Sequence, residues 1–239
     1  MHISSAEFFA AVLENIRNGR NEEAEQLLRQ LKEPNETRLG LSKGSPKGRA
    51  LGKESAHDVW NSLSTSYAAK TGLLRDLEDA ILLVEGVSID IISDMCTNIL
   101  RGPLIEYTKN MCEHLEIPLQ PGVVSGPLWN PKTKSWDQTY EQFPMPKGEK
   151  LLLVPKVIVR QEADYRLDEY LRHYILERMK EVELQENTSL VKVLKNGKRR
   201  VSKKDLIAKY GSGKRLVIEQ TERNPDLLAR ILHAGRADP

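Results

Sequence analysis

Asp90, Asp94 and Asn98 recur at intervals of four, with Arg101 three residues further on. On a helix that begins near Asp90, this spacing stacks two carboxylates and an amide oxygen along one ridge. Hard oxygen donors of this kind are what Mg2+ or Mn2+ takes, each ion keeping several waters. An ion held by Asp90, Asp94 and Asn98 activates water and neutralises charge developing on a phosphoryl group, so the chemistry expected is that of a metal-dependent nuclease or phosphodiesterase. The same residues also read as ordinary helix-start signals. In that reading Asp90 or Ser93 is an N-cap, the acids favour the positive end of the dipole, and Asn98 faces solvent.

Phosphate needs cations opposite the metal, and the run LLLVPKVIVR supplies Lys156 and Arg160 at the end of an aliphatic stretch. Arginine grips phosphate through paired hydrogen bonds, which makes Asp90, Asp94, Lys156 and Arg160 the candidate catalytic set. The set departs from the acid-x-lysine pattern of many nucleases, because Val154 stands two residues before Lys156.

A second group of residues suits phosphate without catalysis. Residues 191–215 concentrate Lys192, Lys195, Lys198, Arg199, Arg200, Lys203, Lys204, Lys209, Lys214 and Arg215 against Asp205 alone. Ser202 is placed to cap a short helix, KKDLIAKY, whose N-terminus and lysines can meet a phosphate backbone. Residues 36–53, ETRLGLSKGSPKGRALGK, carry Gly40, Gly44, Gly48 and Gly52 at every fourth position among Arg38, Lys43, Lys47, Arg49 and Lys53. Glycine lets a backbone approach a ligand closely, so this loop is a second phosphate-contacting candidate. It has the spacing of neither a Walker A loop nor a dinucleotide fingerprint. Nucleic acid, contacted through Arg49, Lys198, Arg199, Arg200, Lys203 and Lys204, is the expected partner. The alternative to the nuclease is a non-catalytic subunit that binds nucleic acid through residues 192–215 and a protein partner, or its own copy, through its N-terminal hairpin or exposed helices.

Composition sets the frame. The 239 residues hold 36 basic and 34 acidic side chains, so any affinity for nucleic acid comes from local clustering rather than net charge. Cys96 and Cys112 lack the partner spacing of a zinc site and fit buried thiols in a reducing compartment. No apolar run approaches the ~20 residues of a membrane span. The start, MHISSAEFFAAVLEN, lacks the basic and apolar regions of a secretory signal, and a cytoplasmic location without membrane contact is expected.

The elements that must position these residues follow from periodicity. Ser4 or Ser5 should cap a first helix with Phe8, Phe9, Val12, Leu13 and Ile16 on one face, ended by Gly19. A second helix, from Asn21 to before Pro34, completes an αα-hairpin. A further helix runs from Glu54 to about Ala69 and continues from Leu73 to Ala80, and Ile81–Val84 reads as a short strand. In the central stretch Ile92, Cys96, Ile99, Leu100, Leu104, Met111 and Leu115 form a helical stripe, interrupted at Gly102-Pro103 by a kink or a fresh start. Val123 to Arg160 has β-compatible segments, clearest at Leu151–Val159. Tyr165, Leu167, Tyr170, Leu171, Tyr174, Ile175 and Met179 stripe one long late helix with His173 beside them, and Asn224-Pro225-Asp226 starts a last one. The fold class expected is α+β, mainly helical, with helices around a small mixed or antiparallel sheet and a helical C-terminal region. Its three parts are a hairpin at 1–35, a core at 36–160 and the basic helical region at 161–239.

RLGLSKGSPKGRALGK, GVSIDIISDMCTNILRGPLIEYT and LLLVPKVIVR, in that order along the chain, resemble an uncharacterised group of bacterial proteins associated with phage-defence and mobile-element loci. The resemblance spans most of the chain. It implies a role in immunity, as part of a defence complex, and no particular reaction.

Overall fold

Phe8, Phe9, Val12, Leu13 and Ile16 are all buried, and they lie on one side of α1 (His2–Arg17). This helix, in the computed structural model, begins before Ser4 and Ser5, which therefore lie inside its first turn instead of capping it. Gly19 closes it with a φ of +72°. The returning backbone bonds Gly19 N–H to Ile16 O at 3.1 Å and Arg20 N–H to Asn15 O at 2.9 Å, the pattern a left-handed C-terminal residue allows. α2 (Asn21–Arg29) packs on α1, with Glu22 and Glu23 in its first turn and Arg29 in its last, as the helix dipole favours. The structure describes residues 2–32, 34–38, 53–74, 76–77, 79–159 and 166–229.

The chain divides into two units, one of residues 1–77 and 86–162, the other of residues 78–85 and 163–239. In the first, α1 and α2 are joined by α3 (Lys53–Thr65) and α4 (Tyr67–Thr71). The central stripe then forms two helices, α6 (Ile89–Ile99) and α7 (Arg101–His114). Pro103 sits in the first turn of α7, where its missing N–H has no helical partner to lose, so Gly102-Pro103 marks a fresh start. Ile92, Ile99 and Leu104 of the stripe are buried, whereas Leu115 is 56% exposed and Cys112 takes the inward position instead.

Two antiparallel pairs follow. β1 (Gln120–Val124) pairs with β4 (Tyr140–Phe143), and β2 (Leu128–Asn130) with β3 (Ser135–Asp137). In the second pair Trp129 stands opposite Trp136. Both rings meet Phe8 edge-on, at centroid distances of 4.9 and 5.4 Å, and Trp136 Nε1–H donates to Leu27 O at 2.9 Å. The hairpin is thereby fastened to α1 and α2. Leu104 and Ile105 of α7 pack with Phe143 and Leu152 into a further apolar cluster.

Leu151–Val159 is not a strand. Leu151 N–H donates to Pro144 O at 3.1 Å and Leu152 N–H to Glu36 O at 2.8 Å, while Leu153 N–H donates to Thr108 Oγ1 at 2.9 Å. Three successive amides thus go to three different neighbours, which leaves none for a ladder. Pro155 has no N–H at all, and Lys156–Ile158 turns as a single 3-10 segment.

The second unit contains α5 (Asp79–Leu83), where the sequence reading expects the strand Ile81–Val84. A four-residue apolar run cannot distinguish strand from buried helix, and here Asp79, Leu82 and Leu83 are buried at i, i+3 and i+4 of a helix, with Ala80 buried beside them. α4 ends at Thr71, so the helix expected over Leu73–Ala80 begins only at Asp79. The late helix is continuous but mixed: α8 (Leu167–Tyr170), a π-helical turn over Leu171–Ile175, then α9 (Leu176–Glu186). Tyr170, Ile175 and Met179 are buried as expected, and His173 is exposed. β5 (Lys192–Val193) and β6 (Arg199–Arg200) form an antiparallel hairpin. α10 (Lys203–Tyr210) and α11 (Lys214–Arg223) follow, and residues 226–229 are helical. The fold is mainly helical, with small two-stranded antiparallel sheets and a helical C-terminal region.

Candidate functional site

The acidic ridge of the first unit is built differently from its spacing. Ser88, not Asp90 or Ser93, caps α6, its Oγ accepting from Ile91 N–H at 3.4 Å. Asp90 is exposed in the first turn and Asp94 is half-buried. Asn98 does not face solvent: it is 0% exposed. Its Nδ2 donates to Lys32 O at 2.5 Å and to Asp94 O at 2.8 Å, and its Oδ1 accepts from Arg101 Nη2 at 3.0 Å. The amide oxygen expected to face a metal is thus engaged by a guanidinium. Arg101 is itself buried, its Nη1 ion-paired with Glu36. Burial pulls its pKa down to about 10, so it stays charged at neutral pH. Gly126, at φ +82°, lies so close that a Cβ there would stand 3.3 Å from Nη1. Among the described residues no group of three or more His, Cys, Asp and Glu side chains could hold a metal ion.

Lys156 is exposed on its 3-10 turn. Among the described residues, no side-chain hydrogen bond or ion pair engages either Lys156 or Asp90. Arg160 lies outside those residues, as do Arg49 and the glycine-rich loop from 39 to 52.

The basic block of the second unit is fully described. Lys192 and Arg200 stand directly opposite one another in the β5–β6 register, a like-charge pairing that disfavours a ribbon unless something answers it. Asp205 answers Lys192 at 2.6 Å. Arg199 is turned to neutral acceptors, Leu184 O and Asn187 Oδ1, and Lys203 to Glu177 at 2.7 Å and Arg172 O at 2.7 Å. Lys195, Lys198, Arg200 and Lys204 are exposed, and no side-chain ion pair engages them among the described residues. Ser202 caps α10 as expected, its Oγ accepting from Asp205 N–H at 3.1 Å. The result is a tethered hairpin beside a helix start, with cations directed to solvent.

Residues 1–166 match the family described as Domain of unknown function (DUF8370). The chain belongs to that family. No curated protein and no solved structure matches it. The DUF8370 segment covers the whole first unit together with α5, and it stops at Arg166, one residue before α8 begins. The basic hairpin and α10 therefore lie beyond the part of the chain that defines the family.

Sequence reasoning missed several buried polar groups. Glu36 was read only as the edge of a glycine-rich loop, though it is Arg101's partner. Lys214 belongs to the basic block in sequence, yet burial, opposed by the attraction of Glu85, pulls its pKa down to about 8, and Nζ reaches Ala80 O at 3.4 Å. Tyr170 bonds Thr221 Oγ1 at 3.0 Å. None of these pairings lies at helical spacing, so no local signal reveals them. An apolar cleft of about 510 Å³ beside Cys112, Ile117, Pro144 and Leu153 completes the first unit and has few polar groups to orient a substrate.

Proposed function

We propose that this chain is a nucleic-acid-binding subunit whose contact surface is the β5–β6 hairpin and the start of α10. The observation that carries this reading is the hairpin itself: residues 191–200 hold five cations and no acid, and among the described residues only Lys192 has a carboxylate partner, Asp205. A cluster so poorly neutralised from within is answered by phosphates from without. Nucleic acid is bound in a salt-sensitive manner, and Lys195, Lys198, Arg200 and Lys204 provide the contacts. Lys203, engaged by Glu177, contributes less than its neighbour. Titrating a labelled DNA at several salt concentrations tests this. Replacing the four free cations by Ala should flatten the slope of log affinity against log salt by about three to four, whereas affinity indifferent to salt in the native chain would refute the reading.

The setting we propose is bacterial anti-phage defence, on the motif order described above, with the α1–α2 hairpin or other exposed helices available to a protein partner. The buried, reduced thiol of Cys112 suits a cytoplasmic location. No helix among the described residues is long and apolar enough to cross a membrane. A metal-dependent nuclease using Asp90, Asp94, Lys156 and Arg160 with Mg2+ or Mn2+ is the second reading, favoured by the exposure of Asp90 and Lys156. It ranks lower because Asn98 would have to leave Arg101 to reach an ion. Cleavage of plasmid with either ion, lost in Asp90→Ala and Asp94→Ala, would promote it.

A further inference from the structure

Tyr210 closes α10 with 41% of its surface exposed, yet its ring is fixed. The hydroxyl donates to Glu183, the Lys209 ammonium lies 4.7 Å from the ring centroid, and Lys209 reaches the same carboxylate at 3.3 Å. Glu183 is itself a firm anchor, with a side chain only 5% exposed. Burial alone would raise its pKa, but hydrogen bonds from Thr188, Tyr210 and Lys209 hold it below the usual carboxylate range. An exposed ring tethered in this way has already lost the freedom that contact with a ligand would otherwise take from it.

Lys204, Ile207 and Tyr210 follow one another along α10 at intervals of three, so they form one line on its surface. Ile207 is 39% exposed. Along the helix axis the line rises about 9 Å from Lys204, which no side-chain ion pair engages among the described residues, to the held ring. At its basic end the Lys192–Asp205 bridge ties in the hairpin, with Lys195, Lys198 and Arg200. A row of cations beside an aromatic ring is how proteins take single strands: the cations follow the phosphates and bases stack on the ring. A duplex keeps its base faces within its own stack and would use only the cations.

We infer that this face binds single-stranded nucleic acid, with Tyr210 as the platform on which a base stacks. The inference rests on the nucleic-acid-binding reading above and adds the class of ligand. Val193 and Leu194, 71% and 41% exposed, give an anionic lipid surface some purchase too, but cations interrupt the apolar residues and the ring is held by its hydroxyl end.

The test uses the full chain with four labelled probes: a dT strand of about 12 nucleotides, within the footprint of single-strand binders, an abasic strand of equal length, a duplex, and vesicles containing phosphatidylserine. The dT strand should bind about tenfold more tightly than the abasic one. Tyr210→Ala should erase that difference while leaving the salt slope intact, and Tyr210→Phe, which keeps the ring and lets go of Glu183, should fall between. Equal, salt-sensitive affinity for dT, abasic strand and duplex would overturn the stacking inference and leave nucleic-acid binding standing. Binding to vesicles with no salt-sensitive binding of any strand would overturn both. Tyr210→Phe guards against misfolding, since it retains the packing that Tyr210→Ala removes.

Discussion

Arg101 shows how a charged residue beside a candidate metal ligand can belong to the core. Its guanidinium joins Asn98 of α6 to Glu36, whose side chain is 14% exposed, and whose carbonyl also accepts from Leu152 N–H. Removing one partner of such a buried pair leaves the other charge uncompensated, so Arg101→Met should destabilise the first unit by about 3 kcal/mol. Adding Glu36→Gln to that variant should recover part of the loss, and midpoints of urea unfolding measure both. Lys214 carries the pH dependence of the second unit. Burial lowers its pKa to about 8 from the ordinary 10.5, so across that interval the unfolded chain binds more protons on this side chain than the native one. Stability therefore rises with pH there. Tyr170 acts in the opposite direction: burial, partly offset by the Thr221 hydrogen bond, raises it from 10.0 to about 12, and the native state keeps a proton that the unfolded chain releases. Amide exchange in α11 should slow between pH 8 and 10, after correction for the intrinsic rate, and quicken above. Lys214→Met should flatten the first change and Tyr170→Phe the second. The Lys214 contribution is on the order of 1–2 kcal/mol, discounted because the side chain keeps some access to water.

Elements whose partners are local were legible; those whose partners are distant were not. The α1–α2 hairpin, the fresh helix at Gly102-Pro103 and the Ser202 cap follow from residues within a turn or two of each other. Ser202→Ala should accordingly cost about 1 kcal/mol and loosen the first turn of α10, visible as lost helicity in that segment by NMR. The LLLVPKVIV stretch is the counter-example. Its composition is that of a strand, and its fate was decided by Thr108 and Glu36, both distant in sequence, together with Pro144 just upstream. Thr108→Val keeps the shape of the side chain and removes the acceptor of Leu153 N–H, at a cost of about 1–3 kcal/mol for the amide left unsatisfied. A true strand would not notice that change, so the unfolding midpoint of this variant measures how far side-chain hydrogen bonding, not a ladder, holds the segment. The candidate site divides in the same way. The basic block is a composition signal and survives as a surface, whereas the Asp90–Asp94–Asn98 ridge depended on Asn98 pointing outward, and a backbone carbonyl at Lys32 together with Arg101 turned it in.

At the scale of the whole molecule, the second unit is not continuous in sequence. Residues 78–85 belong to it although the chain around them, 1–77 and 86–162, builds the first. α5 packs on α11, Lys214 reaches back to Ala80 O, and Leu82, Leu83 and Val84 are buried. Burying three such side chains is worth about 5 kcal/mol, comparable to the whole stability of a small domain. A fragment of residues 163–239 should therefore stay largely unfolded, even though it begins almost where the DUF8370 match ends. Far-UV circular dichroism should show little helix in the isolated fragment and a gain when a synthetic peptide of residues 78–85 is added in excess. Helix content in the bare fragment equal to that of the same residues in the intact chain would mean that α5 is dispensable. In that case the basic hairpin and α10 would form a separable module, instead of one whose folding depends on a helix supplied from within the family segment.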